Sequence, residues 1–250
     1  MRFLVTGVNG TVAPVVVRRF RRAGNEVAAW DRSRVSPDDA DGARRFVDAI
    51  APDWIVHAAM GSPEWTAALA AHARERRARF LYVSSSSVFA GRGEGPHWPD
   101  ATPDADDDYG LYKIACERVA IDRNPESLIV RIGWQIGAAP GGNTMLTYFA
   151  ERNAADGVIR ASARWFPACS FLEDTADTLA DLVERGETGV FHVDANPGLN
   201  FHEITAALNR LHGDPWKVER TDDFALDSRL ADDRVRVAPV TDRLGRFLDS

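Results

Sequence analysis

The chain has 250 residues, of which 45% are hydrophobic and 27% are charged, and its net charge is −7. This composition is typical of a globular protein with one large domain, or with a core and a small lobe, and the negative charge argues against a nucleic-acid partner, which needs clustered cations. Two cysteines without metal-ligand spacing predict neither a disulfide framework nor a metal site. No apolar run reaches the ~18 residues of a membrane span and no signal-peptide layout is present, so we expect no membrane partner and a cytoplasmic location.

Short apolar runs alternate with amphipathic stretches, which is typical of βαβ units and a parallel sheet. The predicted strands are Arg2–Thr6, Glu26–Trp30, Trp54–Ala58, Phe80–Ser84, Leu128–Ile132 and Val190–Val193. The predicted helices are Thr11–Ala23, Asp41–Ile50, Glu64–Arg77, Tyr109–Ile121, Asn143–Asn153, Asp174–Glu184 and Phe201–Leu211. The pattern loosens after Gly133, which indicates a smaller lobe beside the sheet.

A glycine-rich turn follows the first predicted strand. Residues Thr6 to Ala13 are Thr-Gly-Val-Asn-Gly-Thr-Val-Ala, and a predicted helix overlaps their end. Gly7 permits a tight turn, Gly10 lets the backbone approach a pyrophosphate at the helix N-terminus, and Ala13 lies where helix and strand pack closely. This pattern at the first strand–helix junction predicts a dinucleotide site that includes Gly7, Asn9, Gly10, Thr11 and Val12.

The second predicted strand leads into Asp31, Arg32, Ser33 and Arg34. An acidic side chain about 20 residues past the glycines accepts hydrogen bonds from the ribose hydroxyls of NAD, whereas Arg32 or Arg34 can instead bind the 2′-phosphate of NADP. The sequence favours NAD and leaves NADP or dual use open. Ala58, Ala59 and Ser84, at the ends of the third and fourth strands, are expected to line the same site.

Lys113 stands out because only two of the 30 basic residues are lysines. It follows Tyr109 by four residues at the start of a predicted helix, so the two side chains share one helix face. A phenol with a pKa near ~10 is a poor acid or base at neutral pH, and a nearby ammonium lowers that pKa toward the range that general acid–base catalysis needs. An ordinary exposed helix face is the alternative interpretation of this spacing.

Acidic residues crowd the end of a long predicted loop, Ala90–Asp108, which precedes the Tyr109 helix. Loops of this length in compact domains are often functional. Asp104, Asp106, Asp107 and Asp108 are expected to cap the helix N-terminus rather than to bind a metal, because adjacent residues in one run rarely converge on an ion.

With the glycine turn, Asp31 and the Tyr-x-x-x-Lys spacing in place, the chain resembles the extended short-chain dehydrogenase/reductases. More narrowly, it is similar to the dTDP-4-dehydrorhamnose reductases in five stretches. They are VSSSSVFAG at Val83 to Gly91, YGLYKIACE at Tyr109 to Glu117, LIVRIGW at Leu128 to Trp134, Pro167 with Phe171–Ala176, and LDSRL at Leu226 to Leu230.

The resemblance implies a Rossmann-type doubly wound parallel sheet formed by residues 1–134 and about 168–193, with a small C-terminal substrate-binding lobe at about 135–167 and 194–250. It also implies that Ser85, or Ser86 as the alternative, donates a hydrogen bond to the substrate carbonyl. Tyr109 would be the proton donor, and Lys113 would hold the nicotinamide ribose and lower the pKa of Tyr109.

The chain departs from the family at two places. Ser86 stands where the family has an Asp, and His57-Ala-Ala-Met60-Gly61 stands where it has Asn-Ala-Ala followed by a longer loop. His57 is expected to be a residue at a strand end near the cofactor rather than a base.

Three tryptophans are expected near the carboxyl ends of the strands, where open α/β sheets bind ligands. Trp98, Trp134 and Trp165 can form aromatic walls for a sugar or a base, with ordinary core packing as the alternative. Arg164 is the better candidate to hold a diphosphate, because Arg131 can be held inside its strand.

These features predict an NAD(P)H-dependent reductase of a keto-sugar nucleotide. Its catalytic residues would be Ser85, Tyr109 and Lys113, and the small-molecule substrate would contact Ser86, Trp98, Trp134, Arg164 and Trp165. The alternatives are a nucleotide-sugar epimerase or dehydratase that recycles its NAD, and a catalytically silent NAD(P)-binding subunit. The resemblance also allows a homodimer through the helix that bears Tyr109.

Overall fold

A parallel β-sheet flanked by helices dominates the computed structural model, which describes residues 1–89 and 95–248. The first half of the described chain contains β1 (Arg2–Thr6), α1 (Ala13–Arg22), β2 (Glu26–Ala29), α2 (Ala40–Ile50), β3 (Trp54–His57), α3 (Pro63–Arg76), β4 (Arg79–Ser85), a 3-10 helix (Ser86–Phe89) and α4 (Asp108–Arg123). The second half contains β5 (Leu128–Ile132), β6 (Trp134–Ile136), α5 (Met145–Asp156), β7 (Ile159–Ser162), β8 (Trp165–Phe166), β9 (Cys169–Phe171), α6 (Leu172–Arg185), β10 (Gly189–Val193), α7 (Phe201–Leu211), β11 (Val218–Thr221), β12 (Leu226–Asp227), α8 (Thr241–Leu244) and a 3-10 helix (Gly245–Phe247).

Within the described residues the main sheet has six parallel strands in the order β10-β5-β4-β3-β1-β2. The strands are continuous apolar runs, as expected for a sheet that is buried on both faces. The chain moves outward from β1 to β2 and then returns to place β3 on the other side of β1. The predicted α/β class with a doubly wound parallel sheet is therefore confirmed, and its switch point lies between β1 and β3.

Both faces of the sheet are covered by helices. Helices α1 and α6 pack on one face, against a core that includes Phe3, Val16 and Leu179. Helices α3 and α4 pack side by side on the other face, where the core includes Leu69 and Cys116. This arrangement brings the carboxyl ends of β1, β3, β4 and β5 to one edge, next to the N-termini of α1 and α4.

A third apolar cluster lies beside the sheet. It joins α5, α7 and α8 around Phe149, Ile204 and Leu244, and most of its residues belong to the segments predicted to form the lobe. The short strands β6, β7, β8, β9, β11 and β12 pair in twos around this cluster. They were not predicted, since strands of two to four residues are too short to show a hydrophobic period.

The ends of the predicted elements shift by a few residues. Helix α5 begins at Met145 and α6 begins at Leu172, each two residues from the prediction. The first residues of the predicted loop, 90–94, and the last two residues of the lobe, 249–250, lie outside the described part of the chain. Among the helices at 1–89 and 95–248, none has the length and apolar composition of a membrane span.

Candidate active site

A cleft of about 1300 Å³ runs along the carboxyl edge of the sheet, from the glycine turn to the lobe. Most of the residues that the sequence assigned to a site line this cleft. Those residues are Gly7, Asn9, Gly10, Thr11, Val12, Asp31, Arg32, Ala58, Ala59, Ser84, Ser85, Ser86, Tyr109, Lys113, Trp134 and Trp165.

The glycine turn is shaped for a ligand that approaches the backbone. Gly7 has a φ of +78°, and a Cβ atom there would lie 2.8 Å from the carbonyl of Ala58, which follows β3. The Gly10 N–H donates to the Gly7 carbonyl at 2.8 Å and closes the turn. Helix α1 begins without a side-chain cap, so its first N–H groups can bind a phosphate. This geometry fits a dinucleotide pyrophosphate.

The turn is also tied to the lobe. The Thr11 hydroxyl accepts a hydrogen bond from the Asn143 N–H at 2.7 Å, and Asn143 lines the cleft as well. The loop before α5 is therefore bound to the glycine turn that precedes α1.

Asp31 and Arg32 follow β2 and line the cleft there. One oxygen of Asp31, Oδ1, accepts hydrogen bonds from the Ser33 N–H at 2.9 Å and the Ser33 hydroxyl at 2.7 Å. The Ser33 hydroxyl lowers the pKa of Asp31, so the carboxylate is charged at neutral pH. Arg32 donates to the Met60 carbonyl, and its guanidinium lies 5.1 Å from the centre of the Trp65 ring.

Ser85, Tyr109 and Lys113 meet on the cleft wall between β4 and α4. The Asp107 side chain caps α4 by accepting from the N–H groups of Tyr109 and Gly110, both at 2.9 Å, which confirms the predicted acidic cap. Lys113 Nζ donates to the Val83 carbonyl at 3.0 Å, so the lysine spans from α4 to the end of β4.

The pKa of Tyr109 differs from the sequence-based expectation. Burial raises this pKa above its usual range, while a hydrogen bond with Ser85 lowers it and the Asp107 carboxylate raises it further. Lys113 Nζ lies 5.8 Å from the centre of the Tyr109 ring and is directed to Val83 instead. The expected lowering of the Tyr109 pKa by Lys113 is therefore wrong for this structure. Burial also lowers the pKa of Lys113 to about 8.

His57 lies in the core beneath the site. Its ring nitrogens contact the hydroxyls of Thr6 at 2.8 Å and Thr66 at 3.1 Å, and complete burial lowers its pKa to about 3. A neutral, fully bonded imidazole at the end of β3 agrees with the prediction that His57 is not a base.

Trp134 and Trp165 form an aromatic wall on the lobe side of the cleft. Their ring centres are 6.0 Å apart with an angle of 24°, and Trp165 also packs against Phe201 at 4.6 Å. Trp98 and Arg164 are both exposed and do not line the described cleft. Arg131 is buried in an ion pair with Glu117, which rules out the diphosphate role considered for it.

Among residues 1–89 and 95–248, no cluster of three or more His, Cys, Asp or Glu side chains could hold a metal ion. Hydroxyl, phenol and ammonium groups lie at one end of the cleft, and the glycine turn lies at the other.

Comparison with known proteins identifies the family. The family model described as the RmlD substrate binding domain matches residues 1–62 and 63–226. The chain belongs to this family. The resemblance to extended short-chain dehydrogenase/reductases of the dTDP-4-dehydrorhamnose reductase type is thereby confirmed.

Three relatives illustrate the range of the RmlD family. The chain is 27% identical to dTDP-4-keto-6-deoxy-D-glucose reductase of Streptomyces niveus, over 87% of this chain and 81% of the relative. It is 23% identical to methionine adenosyltransferase 2 subunit beta of Xenopus tropicalis, over 83% and 71%. The crystal structure of dTDP-4-dehydrorhamnose reductase from Bacillus anthracis in complex with NADP superposes with a TM-score of 0.87 and 16% identity, covering 98% of each chain. The predicted class, an NAD(P)-dependent oxidoreductase, agrees with the reductases among them.

Several cleft residues were not predicted. Among them are Met60, Ser87, Phe89, Gln135, Asn143, Leu226 and Ser228. Ser87, Phe89, Leu226 and Ser228 lie in stretches already matched to the family, so those motifs were the signal. Asn143 reaches the cleft only because the loop before α5 contacts Thr11, and no local pattern indicates that.

Proposed function

We propose that this protein reduces the carbonyl group of a keto-sugar nucleotide, with hydride from NADH or NADPH and a proton from Tyr109. The observation that supports this most directly is that Ser85, Tyr109 and Lys113 share one cleft with the glycine turn. The names of the reductase relatives support the substrate class.

The residues of the chain have separable tasks in this reaction. A bound nicotinamide coenzyme supplies the hydride. The turn at Gly7 and Gly10 holds the pyrophosphate, and Lys113 holds the nicotinamide ribose. As hydride reaches the carbonyl carbon, negative charge develops on the carbonyl oxygen, and hydroxyl donors from Ser85 and Tyr109 stabilise that charge.

The protonation state of Tyr109 is compatible with its proposed role as a proton donor. A phenol whose pKa lies above its usual range keeps its proton at neutral pH. Tyr109 is thus in the protonation state that a proton donor to an alkoxide needs.

NADH is the coenzyme we propose as preferred. The Asp31 carboxylate keeps Oδ2 available for a ribose hydroxyl, whereas it would repel a 2′-phosphate. Arg32 is engaged with the Met60 carbonyl and the Trp65 ring rather than directed to the 2′ position.

On the substrate side, we propose that Trp134 and Trp165 pack against the sugar nucleotide and that Ser86 contacts the sugar. Arg164 precedes Trp165 and is exposed, so a diphosphate contact by Arg164 would lie at the rim of the cleft. Trp98 stays a prediction without support from the cleft geometry.

The deciding experiment follows the absorbance of NADH and NADPH with a panel of 4-keto-6-deoxy sugar nucleotides. We expect oxidation of the coenzyme, and a fall in turnover on the order of 10² or more for Tyr109→Phe, because the proton donor is lost. Tyr148→Phe removes a phenol outside the cleft lining and serves as the control. Near-normal turnover by Tyr109→Phe would contradict the proposed mechanism.

Coenzyme binding without oxidation would instead favour one of the two alternatives. Conversion of the sugar with no net coenzyme consumption would indicate an epimerase or dehydratase. Binding with no conversion of any sugar would indicate a silent subunit, and one relative is named as a subunit, methionine adenosyltransferase 2 subunit beta.

A further inference from the structure

A buried ion pair lies behind the active-site wall and has no role in the reaction proposed above. Arg131 on β5 donates from Nε to Glu117 Oε1 at 2.9 Å and from Nη2 to Oε2 at 2.7 Å. Both side chains are nearly inaccessible to solvent, with 5% and 6% of their surface exposed. Removing two charges from water is costly, and such a pair often contributes little to stability compared with apolar residues of similar volume. A role beyond stability is therefore worth seeking.

The pair is connected to the strand that carries the catalytic serine. The Ser84 hydroxyl donates to Glu117 Oε1 at 2.5 Å, and Ser84 immediately precedes Ser85. One residue earlier, the Val83 carbonyl accepts the hydrogen bond from Lys113. The end of β4 is thus bound to α4 at two consecutive residues, through two side chains that are one helical turn apart.

On its other side the pair supports the floor of the cleft. Arg131 Nη1 lies 3.3 Å from His192 Nε2, and the guanidinium lies 5.0 Å from the centre of the Phe89 ring, which lines the cleft. His192 Nδ1 donates to the His97 carbonyl at 3.0 Å. Burial lowers the pKa of His192 to about 4, so its neutral imidazole can accept from Arg131 and donate to His97 at once.

Glu117 is also an anionic neighbour of Lys113. The two side chains are four residues apart on α4 and share a buried face. Burial lowers the pKa of Lys113, while Cys116 and then Glu117 raise it by smaller amounts. The other titratable groups near the ammonium are His57 of β3, Tyr82 of β4, and Tyr109 and Tyr112 of α4.

We propose that the Glu117–Arg131 pair is a positioning device of the active site. It holds the end of β4, which carries Ser85, against the helix that carries Tyr109 and Lys113, and it supplies the negative charge beside the Lys113 ammonium. The catalytic meaning of this placement rests on the proposed function, whereas the coupling between Glu117 and Lys113 does not.

The first test measures the titration of Lys113 directly. The chain contains two lysines, so protein labelled with ¹³C at the lysine ε carbon gives two NMR signals, and Lys217→Arg identifies the one from Lys113. The variant is the double substitution Glu117→Leu/Arg131→Met, because either single substitution leaves an uncompensated buried charge. We expect the midpoint of the Lys113 titration to fall in the double variant, since the Glu117 carboxylate raises the pKa of Lys113 and the simultaneous loss of the Arg131 guanidinium offsets only part of that fall.

A matched control removes a charge pair elsewhere. Asp174→Asn/Arg243→Gln deletes the ion pair between α6 and α8, which does not line the cleft. It should leave the Lys113 midpoint unchanged. An unchanged midpoint in the Glu117→Leu/Arg131→Met variant would overturn the electrostatic half of the proposal, whether or not the protein reduces a sugar.

The second test addresses the position of Ser85. Ser84→Ala keeps the ion pair and deletes only its connection to β4. Because Ser84 itself lines the cleft, the Kd for NADH is measured in the same variant. We expect kcat to fall about tenfold, by more than any change in Kd, because displacement of a catalytic group lowers the rate of the chemical step. An unchanged kcat would overturn the positioning half. Absence of turnover in the unmodified protein would instead count against the proposed function.

Discussion

Asp31 and Arg32 are adjacent residues whose side chains favour different coenzymes. An acidic residue after β2 favours NAD, and a neighbouring arginine favours NADP. In the structure Asp31 accepts from Ser33, and Arg32 is bound to Met60 and Trp65. Ser33 is a neighbour in sequence, but Met60 and Trp65 are distant, so the sequence around residues 31 and 32 did not indicate what Arg32 contacts.

Replacing Asp31 should change the coenzyme preference. Asp31→Asn removes the charge that repels a 2′-phosphate and weakens the acceptor for the ribose hydroxyls. We expect the ratio of the Kd values for NADPH and NADH to fall about tenfold or more. Fluorescence titration with both coenzymes measures this ratio.

Asp38→Asn is the control for this measurement. It removes the same charge from an exposed residue that does not line the cleft, so the ratio should stay the same. Equal ratios for Asp31→Asn and the unmodified protein would assign the preference to another residue.

The sequence predicted the positions of Tyr109 and Lys113 well, but it did not predict the direction in which the pKa of Tyr109 shifts. Their spacing placed both on one helix face, and the structure confirms their meeting in the cleft. The direction of the Tyr109 pKa depends on burial, on Ser85 and on Asp107. Burial is a property of the packed molecule, so a pattern of residues could not provide it.

At the scale of an element, the N-terminal cap of α4 determines where the helix that carries Tyr109 and Lys113 begins. The sequence predicted that a run of aspartates caps this helix, and Asp107 is the residue that does so. Its carboxylate satisfies two backbone N–H groups that have no partner within the helix. Which aspartate occupies the cap depends on the path of the preceding loop across Val88, a tertiary contact.

The cap can be tested by stability. Asp107→Ala should lower the free energy of unfolding by about 1 kcal/mol, because two N–H groups at the helix end lose their acceptor. Urea unfolding followed by circular dichroism gives the value. Asp108→Ala, in the first turn of the helix, should cost less, since that side chain contributes only through the helix dipole. Equal losses in both variants would argue against a specific cap.

At the scale of the whole molecule, two buried neutral histidines couple stability to pH. Burial lowers the pKa of His57 to about 3 and that of His192 to about 4. An unfolded histidine has a pKa near ~6.5, so below that pH the unfolded chain binds protons that the folded protein does not. The stability that the two neutral histidines contribute is fully present above pH ~6.5 and is lost as the pH falls toward their pKa values in the folded protein.

We therefore expect the free energy of unfolding to fall between pH 7 and pH 5, with a slope of up to about 1.4 kcal/mol per pH unit from each histidine. Urea unfolding at several pH values measures the slope. His57→Gln and His192→Gln should each reduce it, even where the substitution itself lowers stability. A slope that neither substitution changes would mean that other groups cause the acid sensitivity.

The sequence by itself determined the alternation of strands and helices, the glycine turn, and the placement of Tyr109 and Lys113. These features depend on local physics, namely hydrophobic period, backbone freedom at glycine and the spacing of residues along a helix. Gly7 illustrates the limit, because its pattern predicts a tight turn but not the Ala58 carbonyl that a Cβ atom would meet.

Only the tertiary structure decided the rest of the site. Two contacts join residues that are distant in sequence, namely Arg131 with Glu117 and Asn143 with Thr11. The structure also shows that Trp98 and Arg164 do not line the cleft. The Arg131–Glu117 pair depends on how α4 packs on the sheet, and the contact of Asn143 with Thr11 depends on how the lobe packs beside it. The short strands of the lobe carry too few residues to encode that packing in a local pattern.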